Sequence, residues 1–218
     1  MRRFLDRTAP SGPASRPTGP SRTALLPALL LVAALALGAC SGPAAESAAG
    51  ESSAPAAAGG ANTLPGPVPA GLALRPAPSG APAAPAFTGT LTDGSPLTVA
   101  NLWAERPVVL AFFSSWCTAC AERQSALSDL ARSYRDRVVF VGVVSEDEPA
   151  DLEPYLREHK VAFPVVFDPA QTIWQSYAVR EPGAVAVVAK GGALLRGWPG
   201  GLDAAALDAQ LRELVIAG

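Results

Sequence analysis

The sequence predicts an α/β domain with a mixed central sheet flanked by helices over residues 87–218. Three observations carry this. Two continuous apolar runs, 108–113 and 138–144, have the look of strands buried on both faces. Helical patterns lie between such runs, and a hairpin and a last helix close the chain, which makes the sheet mixed. Bulky side chains are also concentrated past residue 86.

Phe4 is the one aromatic in residues 1–86, and Phe87 opens the bulky part. A packed core therefore belongs to the last ~130 residues, enough for one domain. Asp93-Gly94, between two short apolar segments, reads as a hairpin turn that extends the domain at its N-terminal side. After the strand at 108–113 comes a helical pattern over 118–134, with Leu127, Leu130, Ala131 and Tyr134 on one face. The second buried strand, 138–144, leads to a helix over 149–159, with Pro149 near its start. Residues 165–167 form a short strand, and 169–177 contain a short helix. Segments 185–189 and 194–197 pair around Gly191-Gly192, and Asp203 caps a closing helix to about residue 216.

The net charge of −2 hides an asymmetry: residues 1–22 carry +4, which leaves −6 for the rest. An acidic remainder argues against nucleic acid, which binds through clustered Lys and Arg.

The basic start precedes an uncharged apolar segment, ALLPALLLVAALALGA, at 24–39. As a helix it spans about 24 Å, short of the roughly 30 Å of a hydrocarbon core. A basic stretch, an apolar stretch and small residues make a secretory signal over 1–39. It ends in Leu37-Gly38-Ala39-Cys40, which resembles the lipobox of bacterial lipoproteins. That resemblance implies lipidation at Cys40 and a place in the cell envelope, anchored on the extracytoplasmic side of a membrane. An ordinary signal peptide with an incidental cysteine fits the same residues. Residues 40–86 then read as a lipidated Cys and a disordered tether of Ala, Gly, Pro and Ser, with a reach near ~40 Å.

The two remaining cysteines stand in Ser115-Trp116-Cys117-Thr118-Ala119-Cys120, where the buried strand meets the first long helix. A helix N-terminus has unpaired N–H groups and partial positive charge, and both favour a thiolate. Cys117, nearest the strand end, is the expected nucleophile. Cys120, one turn on, is the expected resolving thiol, and the two can close a disulfide. A purely structural staple is the alternative, though so short a loop constrains the unfolded chain weakly. A zinc site lacks ligands, because His159 is the one histidine. Trp116 is expected to shield the thiol and to form part of a docking surface. The chemistry calls for no cofactor and no metal, since the thiols are the redox group.

The stretch 110–120, LAFFSSWCTAC, resembles the active-site strand and turn of the thioredoxin-like TlpA/ResA/DsbE family. The likeness extends over most of 86–218. Asp93-Gly94 with 97–102 is similar to the family's N-terminal hairpin, 163–168 to its buried strand, and Tyr177-Ala178-Val179-Arg180-Glu181-Pro182 to the approach to its cis-proline. The resemblance implies a thioredoxin-like fold and an extracytoplasmic thiol–disulfide oxidoreductase. Its partners would be protein thiols and disulfides, with a membrane redox donor. It also implies a cis Pro182 beside the cysteines, leaving a backbone edge for a substrate strand. A plain strand-entry proline is the other reading of Pro182.

The departures are specific. Where thioredoxins carry a buried acid six residues before the first cysteine, this chain has Ala111. The family's Glu and Pro after the second cysteine are here Arg123 and Ser125. Glu122 or Glu181 would have to carry protons instead, and Glu122 is equally a solvated helix-start acid.

Two rival functions use the same residues. A peroxiredoxin needs a hydroxyl three residues before the reactive cysteine, which Ser114 supplies, but also a proline where Leu110 stands. A copper(I) chaperone would use Cys117, Cys120 and His159. Thr118-Ala119 adds no charge to hold a thiolate strongly, which points to a reducing couple. The resembled family includes reductants of apocytochrome c and of copper-site proteins, which fit that direction, and oxidants, which do not.

Overall fold

In the computed structural model the two apolar runs lie side by side at the centre of a seven-stranded sheet. The structure describes residues 56–217; the expected signal, Cys40 and the chain up to residue 55 fall outside them. The elements, in chain order, are β1 (Thr88–Leu91), β2 (Pro96–Thr98), α1 (Val99–Glu105), β3 (Val108–Phe113), α2 (Thr118–Tyr134), β4 (Val139–Val144), α3 (Pro149–Glu158), β5 (Val165–Phe167), α4 (Thr172–Ser176), β6 (Val185–Val188), β7 (Leu194–Trp198) and α5 (Ala204–Leu214). The strand order is β2-β1-β5-β4-β3-β6-β7, with β3, β4 and β5 parallel and the outer strands antiparallel.

Every residue of β3 and β4 is buried, as a strand covered on both faces requires. Alternation divides β3 between two cores. Val109 and Phe113 join the layer of α2, α3 and α5, while Val108, Leu110 and Phe112 join that of α1 and α4. Gly142 of β4 lies opposite Ala111, and a Cβ there would come within 2.7 Å of the Phe113 ring. Its absence lets Phe113 lie across the sheet and stack on Tyr155, with centroids 5.8 Å apart.

Two expectations need correction. The hairpin at Asp93-Gly94 forms, β1 pairing with β2, but its second arm ends at Thr98 instead of running to residue 102, and the chain turns helical at Val99. Val99 and Trp103, one turn apart, are both buried, and that packing sets α1 where local propensity does not. Arg106, ahead of Pro107, ends the helix in extended conformation (φ −158°, ψ 165°).

The second correction concerns residues 56–86, which composition assigns to a tether. They are laid along the domain. Leu74 and Ala83 form bridges to Ile216 and Ala193. Asp93 Oδ2 accepts from the Ala61 N–H at 2.7 Å, and the buried Arg106 guanidinium donates to Gly66 O at 2.5 Å. Backbone pairing, the Asp93 and Arg106 side chains, and apolar residues such as Leu64 and Ala84 attach this segment without any aromatic of its own.

α2 also differs from its expected face. Ala131 and Tyr134 are buried, but Cys120, Gln124 and Ser128 complete the buried stripe, and Leu127 and Leu130 lie at its margin. Asp203 caps α5 as expected, Oδ1 accepting from the Ala206 N–H at 2.7 Å, a contact worth about 1 kcal/mol.

Candidate active site at the start of the second helix

β3 delivers the chain to the end of the sheet, and a short turn feeds it into α2. Cys117 is the N-cap of α2, in extended conformation (φ −81°, ψ 99°). Its carbonyl accepts from the N–H groups of Cys120 and Ala121, both at 3.0 Å, and its Sγ accepts from the Cys120 N–H at 3.1 Å. The sulfur thus occupies the place an Asp or Ser oxygen takes in an ordinary cap, where free N–H groups and the helix dipole favour negative charge. Cys117 and Cys120 are joined as a disulfide, with Cα atoms 5.2 Å apart. Both are largely covered, Cys117 at 8 % exposure and Cys120 at 4 %.

A ladder of two buried serine hydroxyls supports this turn. Ser114 Oγ donates to Ser145 O at 2.6 Å, and Ser145 Oγ donates to Asp168 O at 2.8 Å. The C-terminal ends of β3, β4 and β5 are thereby tied together. The loop after β4 is then held against the cysteine turn. Asp147 Oδ1 accepts from the Ser115 N–H at 2.8 Å, and Glu146 O accepts from the Trp116 indole N–H at 3.2 Å. Glu146 adopts a left-handed conformation (φ 58°), a modest strain that turns its carbonyl to the indole. Trp116 remains 57 % exposed, a large apolar surface beside Cys117.

Asp147 is the acidic residue that the sequence did not single out. It is buried, and burial pushes its carboxyl above the usual range, against the downward pull of its hydrogen bonding to Ser115. Its Oδ2 has no partner. It lies thirty residues beyond Cys117, and the signal that could have found it is an Asp in the loop just past the second buried strand. The two expected substitutes do not fill that role, because Glu122 and Glu181 are both exposed.

On the other side of the cysteines runs the segment after Pro182. Pro182 is half-buried, and the N–H of Gly183 donates to Phe112 O at 2.7 Å. A Cβ on Gly183 would lie 3.9 Å from Cys120 Sγ and 3.1 Å from the Arg123 guanidinium. Arg123, where the family has its glutamate, donates from Nε to Ala119 O at 2.9 Å and from Nη1 to Gly200 O at 3.2 Å. It fastens the first turn of α2 to the chain beyond β7. Behind Cys120, Gln124 is 2 % exposed, and its Nε2 has no partner.

The structure therefore brings Cys117, Cys120, Trp116 and the Pro182-Gly183 segment to one end of the sheet. It does not add His159, which is the C-cap of α3 and packs its ring on Tyr155 at 4.5 Å. Among the described residues no cluster of His, Cys, Asp and Glu is arranged to hold a metal ion.

Residues 81–196, more than half of the chain, match the AhpC/TSA family. The chain belongs to that family. The soluble secreted antigen MPT53 of Mycobacterium tuberculosis is 29 % identical over 93 residues, covering 43 % of this chain and 53 % of the antigen. The chain thus spans about half the length of the curated relatives it matches. Among solved structures, MTB DsbF superposes with a TM-score of 0.57 at 24 % identity, over 62 % of this chain and 98 % of that one. The exposed lipoprotein thioredoxin Etrx1 of Streptococcus pneumoniae reaches 0.54 at 26 % identity, over 60 % of this chain and all (100 %) of that one. The fold is thioredoxin-like, as the stretch 110–120 led us to expect.

Proposed function

We propose that the protein is a thiol–disulfide oxidoreductase acting on protein substrates outside the cytoplasm, held to a membrane by a lipid on Cys40. The observation that carries this reading is Cys117 Sγ at the N-terminus of α2, accepting from the Cys120 N–H and bonded to Cys120. In the reducing direction, the Cys117 thiolate attacks a substrate disulfide, and one substrate sulfur leaves as a thiolate. The Cys120 thiolate then attacks Cys117 Sγ, which frees the second substrate sulfur and closes the Cys117–Cys120 bond. Two electrons pass to the substrate, whose two thiolates take up two protons. A membrane redox donor restores the dithiol. Reduction is the favoured direction because Thr118 and Ala119 supply no charge to stabilise a Cys117 thiolate. Cysteines of apocytochrome c or of a copper site would suit such a couple. Trp116 and the backbone beside Pro182 form the docking surface on either side of the pair.

Peroxide reduction is the weaker reading. Ser114, the hydroxyl it needs, is fully buried and already donates to Ser145 O. The names of the relatives, a secreted antigen and an exposed lipoprotein, agree with an extracytoplasmic site of action.

Trapping tests the roles. Cys120→Ser should accumulate mixed disulfides with partner proteins through Cys117, and Cys117→Ser should accumulate few. Equal trapping by the two variants would contradict the assignment.

A further inference from the structure

Beside Trp116 a cleft of about 470 Å³ opens between the cysteine turn and α3. Its lining includes Asp147 and Tyr155, each only 7 % exposed, whose Oδ2 and hydroxyl are buried without partners. Its rim carries Glu148, Asp151 and Glu158, all exposed. None of these acids forms an ion pair among the described residues, while Arg157 of the same helix pairs with Glu153. The exposed indole of Trp116 forms one wall. No metal-holding cluster is present among the described residues, so the cleft does not suit a bare cation.

We propose that this cleft is a subsite for an arginine or lysine side chain of the protein substrate, positioned close to the substrate cysteine that Cys117 attacks. The proposal rests on the exchange function above and adds its substrate preference. A long cationic side chain answers each feature of the cleft. Its charged end supplies the donors that both unpartnered atoms lack. Its approach is steered by the acidic rim, and its stem or guanidinium plane lies along the Trp116 ring, a favourable cation–π arrangement. A pocket of this size accepts the whole side chain. Because Ser115 binds Asp147 and Trp116 binds Glu146, the subsite is fixed relative to Cys117 by two hydrogen bonds. Occupation therefore orients the peptide on the nucleophile.

The test is the rate at which the reduced full chain exchanges with disulfide peptides that differ at one position, two residues after the cysteine: Arg, Gln or Glu. Hydroxyethyl disulfide, small and neutral, is measured alongside. The Arg peptide should react about tenfold faster than the Glu peptide at low ionic strength, and the gap should narrow in 1 M salt. Glu148→Gln combined with Asp151→Asn should reduce the Arg-to-Glu ratio to about twofold. Equal rates for the three peptides, with hydroxyethyl disulfide still reacting, would overturn the subsite and leave the exchange function standing. An undiminished ratio in the double variant would also overturn it. Failure of every disulfide, hydroxyethyl disulfide included, would overturn the exchange function and the subsite together.

Discussion

Removing the Ser114 hydroxyl tests whether the cysteine turn depends on the ladder beneath it. Ser114 is fully buried, and its one hydrogen bond, 2.6 Å to Ser145 O, joins the end of β3 to the loop after β4. Ser114→Ala deletes the donor and leaves the facing carbonyl without it. Such a loss costs about 1–3 kcal/mol, more than the net worth of the bond, because a buried acceptor is stranded. A cost near 2 kcal/mol lowers Tm by about 4–8 °C for a domain of this size. Urea unfolding of the oxidised protein reads the change, and Ser125→Ala, on the exposed side of α2, is the control expected within about 0.5 kcal/mol. Peptide exchange should slow as well, since the same loop positions Ser115 and Trp116 through Asp147 and Glu146. A loss below about 0.5 kcal/mol would refute the reasoning. Abolished peroxide consumption with unchanged stability would instead favour a peroxidase in which Ser114 takes part.

Three further outcomes follow from the structure and the proposed function. Asp147→Asn should stabilise the protein at pH 7: burial raises the folded carboxyl above its unfolded value of 3.8, so the charged form opposes folding once pH rises through the folded value. Wild type and variant should converge in thermal melts run below pH 3.8, and a variant less stable at pH 7 would contradict the sign. Pro182→Ala should impair exchange with protein substrates more than with dithiothreitol; equal loss with both, in parallel assays, would count against a docking role. Cys40→Ser should move the protein from the membrane to the soluble fraction, and a wild-type mass without acyl chains would refute lipidation.

Much of the fold was legible because burial on both faces writes itself into β3 and β4 as unbroken apolar runs. α2 was legible in its bounds, Thr118 to Tyr134, because a helix of that length shows its period. α1 was not. Seven residues beginning with a β-branched valine carry little local signal, and Trp103 fixes the helix only by finding the core. The attachment of residues 56–86 was hidden for another reason. Its hydrogen bonds run largely through its own backbone, in bridges to Ile216 and Ala193 and to the side chains of Asp93 and Arg106, and they have no signature in its side-chain composition. At the site, Cys117 and Cys120 could be read because their spacing is itself the chemistry. Asp147 could not, since its nearness to Ser115 is made by the parallel pairing of β3 with β4. Gln124 and Ser128 were masked by the assumption that a buried helix face is apolar.

The account stands most directly on the redox equilibrium of the Cys117–Cys120 pair. Titration of the full chain in dithiothreitol buffers, with alkylation and mass measurement, should show both thiols appearing together in one reversible two-electron transition. Its midpoint should lie nearer the roughly −270 mV of thioredoxin than the roughly −120 mV of a strong oxidant. A midpoint near the latter would reverse the proposed direction. A disulfide that stays closed across the titration would contradict the exchange function itself.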